Sequence, residues 1–151
     1  MDQIIGGNMG NQKINHVAVW ILVVVHQIVV FLWYAEFLFG KKLMQLLGKT
    51  TEDFPAANPL NYIVAIITAI AMTYLLAWIF KELKIDTPLR GLFYALIIAL
   101  SFFFLQTLTT GLFSVRPFGL TLIDGGMYLV NFLIAGIVLG AWKKYEVTEG
   151  S

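Results

Sequence analysis

Residues 17–39, VAVWILVVVHQIVVFLWYAEFLF, decide the fold. The run is apolar from Val17 to Tyr34 apart from His26 and Gln27, and its first charge is Glu36. As a helix rising ~1.5 Å per residue it is long enough to cross the ~30 Å hydrocarbon layer of a bilayer. Stretches of the same kind occur at 60–80, 91–113 and 122–142. Of the chain's 10 basic and 9 acidic residues, only Glu36 and Asp124 fall inside these four segments. Membrane barrel strands would alternate polar and apolar positions, and isolated strands would leave backbone groups unpaired in lipid. None of the four alternates. The pattern predicts an all-α protein, an integral membrane four-helix bundle, forming a single membrane domain over residues 1–151.

Composition agrees. The chain has 151 residues, 59% hydrophobic and 13% charged, with a mean hydropathy of +0.81. A soluble domain has roughly 45–50% apolar and about 25% charged residues, so too few polar groups remain here to cover a water-exposed surface. The net charge of +1 gives no electrostatic footprint for nucleic acid. With no cysteine there are no disulfides, thiolate nucleophiles or Cys-ligated metals. A cleavable signal peptide is not expected, because the first apolar run is too long for one and has no small-residue cleavage site after it. Gly150-Ser151 is assigned no function.

Start signals punctuate the spans. Asn58-Pro59 and Thr87-Pro88 each offer a capping side chain followed by proline at the first helical position. Asn15 is placed to cap the first helix, and Thr121 with Asp124 reads as a capping box for the fourth. Trp20, Trp33, Tyr34, Tyr62, Trp78, Tyr94, Trp142 and Tyr145 lie toward segment ends, as an interfacial aromatic belt requires. Lys41–Leu47 combines lysines with an apolar stripe and ends at Gly48. It reads as an extension of the first helix or a short helix lying in the interface. Residues 50–59 read as a loop.

Four spans put both termini on one side. That side holds Lys13, Lys81, Lys84, Arg90, Lys143 and Lys144, against Lys41, Lys42, Lys49 and Arg116 on the other. The positive-inside rule then places both termini in the cytoplasm. Small residues recur every four positions at Ala65, Ala69, Thr73 and Ala77, and again at Gly136 and Gly140. Such stripes let helices approach closely, either within one chain or between copies in a homo-oligomer.

Polar groups inside a membrane are costly and therefore candidates for function. His26 and Asn131 lie near mid-depth, and Gln106, Thr107 and Thr110 lie on the third span, so these groups are expected to meet in one polar core. A second cluster belongs to the rim: Tyr34, Glu36, Arg116, Asp124 and Tyr128. Asp124, Tyr128 and Asn131 share one helix face. Arg116 is the cation nearest both acids, and pairing with Asp124 or Glu36 is expected. Each residue also has a plain structural role open to it. Asp124 can cap a helix, Arg116 can stiffen a turn or reach headgroups, His26 can bond a neighbouring helix, and Glu36 can be solvated. No catalytic residue, metal site or cofactor is assigned, because no triad, ligand spacing or phosphate loop occurs.

Leu32-Trp-Tyr-Ala-Glu-Phe-Leu-Phe-Gly-Lys41 resembles a Trp-Tyr-Ser-Pro-x-x-Phe-Gly pattern, and Arg116-Pro117, Ile123-Asp-Gly-Gly-Met-Tyr128 and Gly136…Gly140-Ala-Trp142 resemble a closing signature. Both belong to the four-helix membrane family catalogued as domain of unknown function 1761. The resemblance spans most of residues 15–142. It implies the fold and membrane location, points to Trp33, Tyr34, Arg116, Pro117, Asp124 and Tyr128, and brings no activity with it. Ala35-Glu36 stands where the pattern has Ser-Pro, so Glu36 is particular to this chain.

These residues lead us to expect an oligomeric binder or conduit for a small polar or amphiphilic solute, with the rim cluster as its entrance. The bilayer, a second copy and a small solute or lipid are the expected partners. A structural or lipid-binding scaffold is the alternative, and a membrane-embedded enzyme using Asp124 or His26 comes after it.

Overall fold

The computed structural model describes residues 12–53 and 58–145. Residues 54–57 of the first loop, and Gly150-Ser151, lie outside them. Among the described residues four helices are long and apolar enough to cross a membrane: His16–Trp33, Pro59–Glu82, Pro88–Phe113 and Phe118–Ala141. In chain order the elements are strand β1 (Gln12–Lys13), α1 (His16–Trp33), α2 (Lys41–Leu47), α3 (Pro59–Glu82), α4 (Pro88–Ile98), α5 (Leu105–Phe113), α6 (Phe118–Ala141) and strand β2 (Lys144–Tyr145). A π-helical turn, Ala99–Phe104, joins α4 to α5 so that they form one span. The chain is an all-α, multi-pass integral membrane protein.

Local chemistry sets three of the four span starts. The Asn15 side chain accepts from the Ala18 N–H at 3.2 Å. Asn58 accepts from Leu60 N–H at 2.9 Å, and the Thr87 hydroxyl from Arg90 N–H at 3.3 Å. Proline follows each of the last two caps, where its missing N–H costs nothing. The fourth span departs from the sequence reading. Its helix begins at Phe118 with Pro117 as cap, so Thr121 and Asp124 lie inside it and form no capping box. The Pro117 carbonyl already accepts from the Leu120 and Thr121 N–H groups, so Thr121 is inside the helix rather than at its start. That leaves the Asp124 carboxylate available for other contacts.

The first span also differs. Its α-helix stops at Trp33, short of Phe39, because Ala35 is extended at φ −66°, ψ 150°. A π-helical turn over Glu36–Gly40 then redirects the chain into α2, which is a separate short helix. Gly40 N–H donates to the Ala35 oxygen at 2.9 Å, and a methyl at Gly40 would lie 2.5 Å from the Tyr34 oxygen. Only glycine fits so close a return. Thr51–Asp53 adds one 3-10 turn to the expected loop.

Helix α6 is central. It packs on α4 backbone to backbone: the Gly91 and Gly136 main chains meet directly, and a methyl at Gly136 would come 2.5 Å from the Ala95 Cβ. Gly140 sits equally close to the Thr87 oxygen. Ala69, Thr73 and Ala77 are buried against the other helices, whereas Ala65 is exposed. Both small-residue stripes thus serve contacts within the chain, where lipid supplies no hydrophobic drive and close approach must. The core runs through Val19, Leu22, Leu76, Phe80, Phe132 and Leu139. At the terminal end β1 and β2 pair antiparallel, and Asn15 Nδ2 donates to the Trp142 oxygen at 3.2 Å. At the opposite end every residue of Pro59–Thr68 is exposed, so the first half of α3 stands clear of its neighbours.

Candidate functional site

The rim opposite the termini carries a basin of about 350 Å³ lined by Tyr34, Gln106, Thr107, Thr110, Arg116, Asp124 and Tyr128. Each wall has a local origin. Tyr34 is the C-cap residue of α1, and Trp33 beside it donates from Nε1 to the Ile123 oxygen of α6 at 3.0 Å. That bond fixes the end of α1 over α6. Asp124 and Tyr128, four residues apart on α6, face the basin together.

Arg116 reaches it through an unusual turn. Helix α5 ends with Val115 in the left-handed conformation at φ 52°, while Val115 N–H donates to the Leu112 oxygen and Arg116 N–H to the Gly111 oxygen. This is the hydrogen-bond pattern in which glycine ordinarily occupies the left-handed position. The turn throws Arg116 across to α6, where Nη2 donates to Asp124 Oδ2 at 2.9 Å.

Asp124 is the hub. Its Oδ1 accepts from the Tyr34 hydroxyl at 2.9 Å while Oδ2 accepts from Arg116. The Arg116 side chain is 42% exposed and that of Asp124 20%, so the ion pair is half solvated. Pairs of that kind contribute about 1 kcal/mol or less. On the α5 wall Gln106 Nε2 donates to Thr110 Oγ1 at 3.4 Å. The basin thus offers a guanidinium, hydroxyls and an amide above an already satisfied carboxylate. Chemically that suits hydrogen bonding to a polar solute.

The other candidates lie elsewhere. Glu36 is exposed and outside the cluster, and among the described residues Arg116 pairs with Asp124 rather than with Glu36. Mid-depth, His26, Thr73 and Asn131 line a crevice of about 20 Å³ between α1, α3 and α6, room for a single water. Asn131 Nδ2 donates to the Met127 oxygen at 3.1 Å and meets Met127 Sδ at 3.2 Å, so its amide serves its own helix rather than His26. Gln106, expected beside them, belongs to the rim. Between the two sites stands an aromatic stack, with Phe103 centred 5.3 Å from the Tyr128 ring and 4.6 Å from Phe132. Tyr128 lines the basin and Phe132 the crevice. Sequence reasoning missed Gln27, whose Nε2 is buried without a hydrogen-bond partner among the described residues. The signal was there: it follows His26 in an otherwise apolar run.

Four apolar helices around a polar rim basin define a small polytopic membrane protein. A family model described as "Protein of unknown function (DUF1761)" matches residues 17–140, and the chain belongs to that family. No curated protein and no solved structure matches it.

Proposed function

We propose that the protein binds a small polar or amphiphilic solute in the rim basin. The observation that carries this reading is the basin itself: about 350 Å³ of space lined by seven polar side chains at the edge of an apolar bundle. Ligand sites combine a concave shape with a few convergent polar groups, and a position at the end of the spans lets an amphiphile leave its tail in lipid. Passage deeper would require Phe103 to leave its stack, which makes binding the step the geometry favours over conduction. Self-association belongs to the same proposal, with the all-round exposed Pro59–Thr68 half-helix as the surface a second copy would cover.

A scaffold reading is favoured by one observation, that Tyr34, Asp124 and Arg116 satisfy one another. Thermal unfolding of purified protein separates the two. The probes are glycerol, choline, glycine betaine and dihexanoyl phosphatidylcholine, on wild type and on Tyr128→Phe and Thr110→Val. A binder shows a raised midpoint with at least one probe, and the shift shrinks in the variants. A folded wild type that responds to none of them, or variants that respond equally, overturns the proposal in favour of the scaffold.

A further inference from the structure

The polar groups of the rim basin divide into those already engaged and those left to meet a ligand. Asp124 is the one acid among the lining residues, and it accepts from Tyr34 at Oδ1 and from Arg116 at Oδ2. Its charge is balanced within the protein. Arg116 is engaged on one side only: Nη2 donates to Asp124, and the other guanidinium nitrogens have no partner among the described residues. The Tyr128 and Thr107 hydroxyls also line the basin without a hydrogen-bond partner among the described residues. Gln106 and Thr110 bond to each other, and the Gln106 amide oxygen is the main neutral acceptor left over. What remains is chiefly groups that donate, one of them charged. Residues 54–57 at this end, outside the described ones, are Phe-Pro-Ala-Ala and carry no charge that could alter this balance.

Guanidinium chemistry allows a second partner. The donors of arginine spread over a planar fork, so one edge can hold Asp124 while another meets a second oxyanion. With 42% of the Arg116 side chain exposed, that outer edge is within reach of a ligand. Stacking on Phe103, with 5.3 Å between ring centres, fixes the Tyr128 ring that carries one of the waiting hydroxyls. Around Arg116 in sequence, Leu112, Phe113, Val115 and Phe118 are all exposed and apolar. They form a flank along which a hydrocarbon chain can lie.

We infer that the ligand of the basin presents an oxyanion, a carboxylate or phosphate, to the outer edge of Arg116 and to the Tyr128 and Thr107 hydroxyls. The inference rests on the basin being a binding site, as proposed above, and adds the charge class of what it takes. A charge-assisted bond from a guanidinium to such a group is roughly twice as strong as a neutral one. A cationic head group finds the Asp124 carboxylate already taken, and a neutral one forgoes the charge. The apolar flank suits an amphiphile whose chain stays in the bilayer. A small free anion carries the same head chemistry, and experiment separates the two sources.

The test follows the thermal midpoint of the full chain in dodecyl maltoside at neutral pH. The probes are decanoate, decyl phosphate, decanol, decyltrimethylammonium, acetate and inorganic phosphate. The expected result is a rise with the two decyl anions that declines as sodium chloride is raised, with little response to decanol or decyltrimethylammonium. Arg116→Gln should weaken decanoate binding about tenfold and Tyr128→Phe about threefold, as loss of a charge-assisted and of a neutral hydrogen bond implies. Lys42→Gln, on α2 and outside the basin lining, should leave it unchanged. Acetate or inorganic phosphate matching the decyl anions would support the oxyanion site and assign it to a soluble ion. Equal decanoate shifts in wild type and Arg116→Gln, or no shift with any anion, would overturn the inference. If decanol or decyltrimethylammonium then raises the midpoint, and Tyr128→Phe shrinks that rise, the basin still binds and only the charge class falls. A chain that responds to no probe loses the binding reading as well. Should Arg116→Gln fail to fold, Tyr128→Phe and the ranking of probes on wild type decide.

Discussion

Val115 is the residue at which this chain most openly breaks a local rule. A β-branched side chain at φ 52° is a steric outlier, since a left-handed L-residue costs about 1–2 kcal/mol. Its side chain is 90% exposed, so no packing holds it there. The conformation is held by the pair of hydrogen bonds closing α5 and, one residue on, by the Arg116–Asp124 contact. Val115→Gly should therefore stabilise the protein, by about 1 kcal/mol once glycine's extra unfolded-state entropy is deducted. A thermal or denaturant midpoint that falls instead would show that the valine side chain has a contact in the membrane. Sequence reading finds Arg116 and Asp124 because charges beside apolar runs are conspicuous. It does not find the turn, which lies in backbone geometry that no side chain at positions 111–116 announces.

At the scale of elements, three of the four span caps are legible in the sequence, while the fourth cap and the end of the first span are not. Asn15, Asn58 and Thr87 act within three residues of themselves, so their chemistry is written locally. The end of α1 depends on an extended Ala35 and a buried Gly40, which hydropathy averaging passes over. The π-helical turn Ala99–Phe104 is equally unannounced by hydropathy and lies just before the site's third-span residues. Each π turn inserts extra residues into the helical repeat and so rotates the rest of the helix. Gln106, Thr107 and Thr110 follow that turn and line the rim basin, apart from His26 and Asn131. Packing between elements gives a sharper prediction. Gly136→Ala puts a methyl 2.5 Å from both the Ala95 Cβ and the Gly91 oxygen, and a backbone neighbour cannot yield. A loss of about 2 kcal/mol is expected, in the usual range for overpacking. Gly119→Ala meets only the flexible tip of Leu46, 3.2 Å away, and should cost little. Equal midpoints for the two variants would refute the close α4–α6 contact.

For the whole molecule, the asymmetry between the two ends matters most. The terminal end is tied by the strand pair and by Asn15, which caps α1 through Oδ1 and reaches Trp142 through Nδ2. The other end carries the basin, the short α2 and the exposed half of α3. Asn15→Ala removes a cap and a tie at once. Its cost should be about 2 kcal/mol, from ~1 for the cap and ~1 for the hydrogen bond. Asn58→Ala, which loses only a cap, should cost about half as much. If the two variants unfold together, the tie contributes nothing to stability.

The Asn15–Trp142 bond spans 127 residues, nearly the whole chain. On the ribosome the asparagine emerges before three further spans and its partner after them. Throughout translation α1 must remain in the bilayer without its final fastening, and α6 must find it after three other passages have been threaded. The fastening therefore comes after every helix it holds. Only a chain translated through its fourth span can close it, and a shorter product has its first helix without that tie.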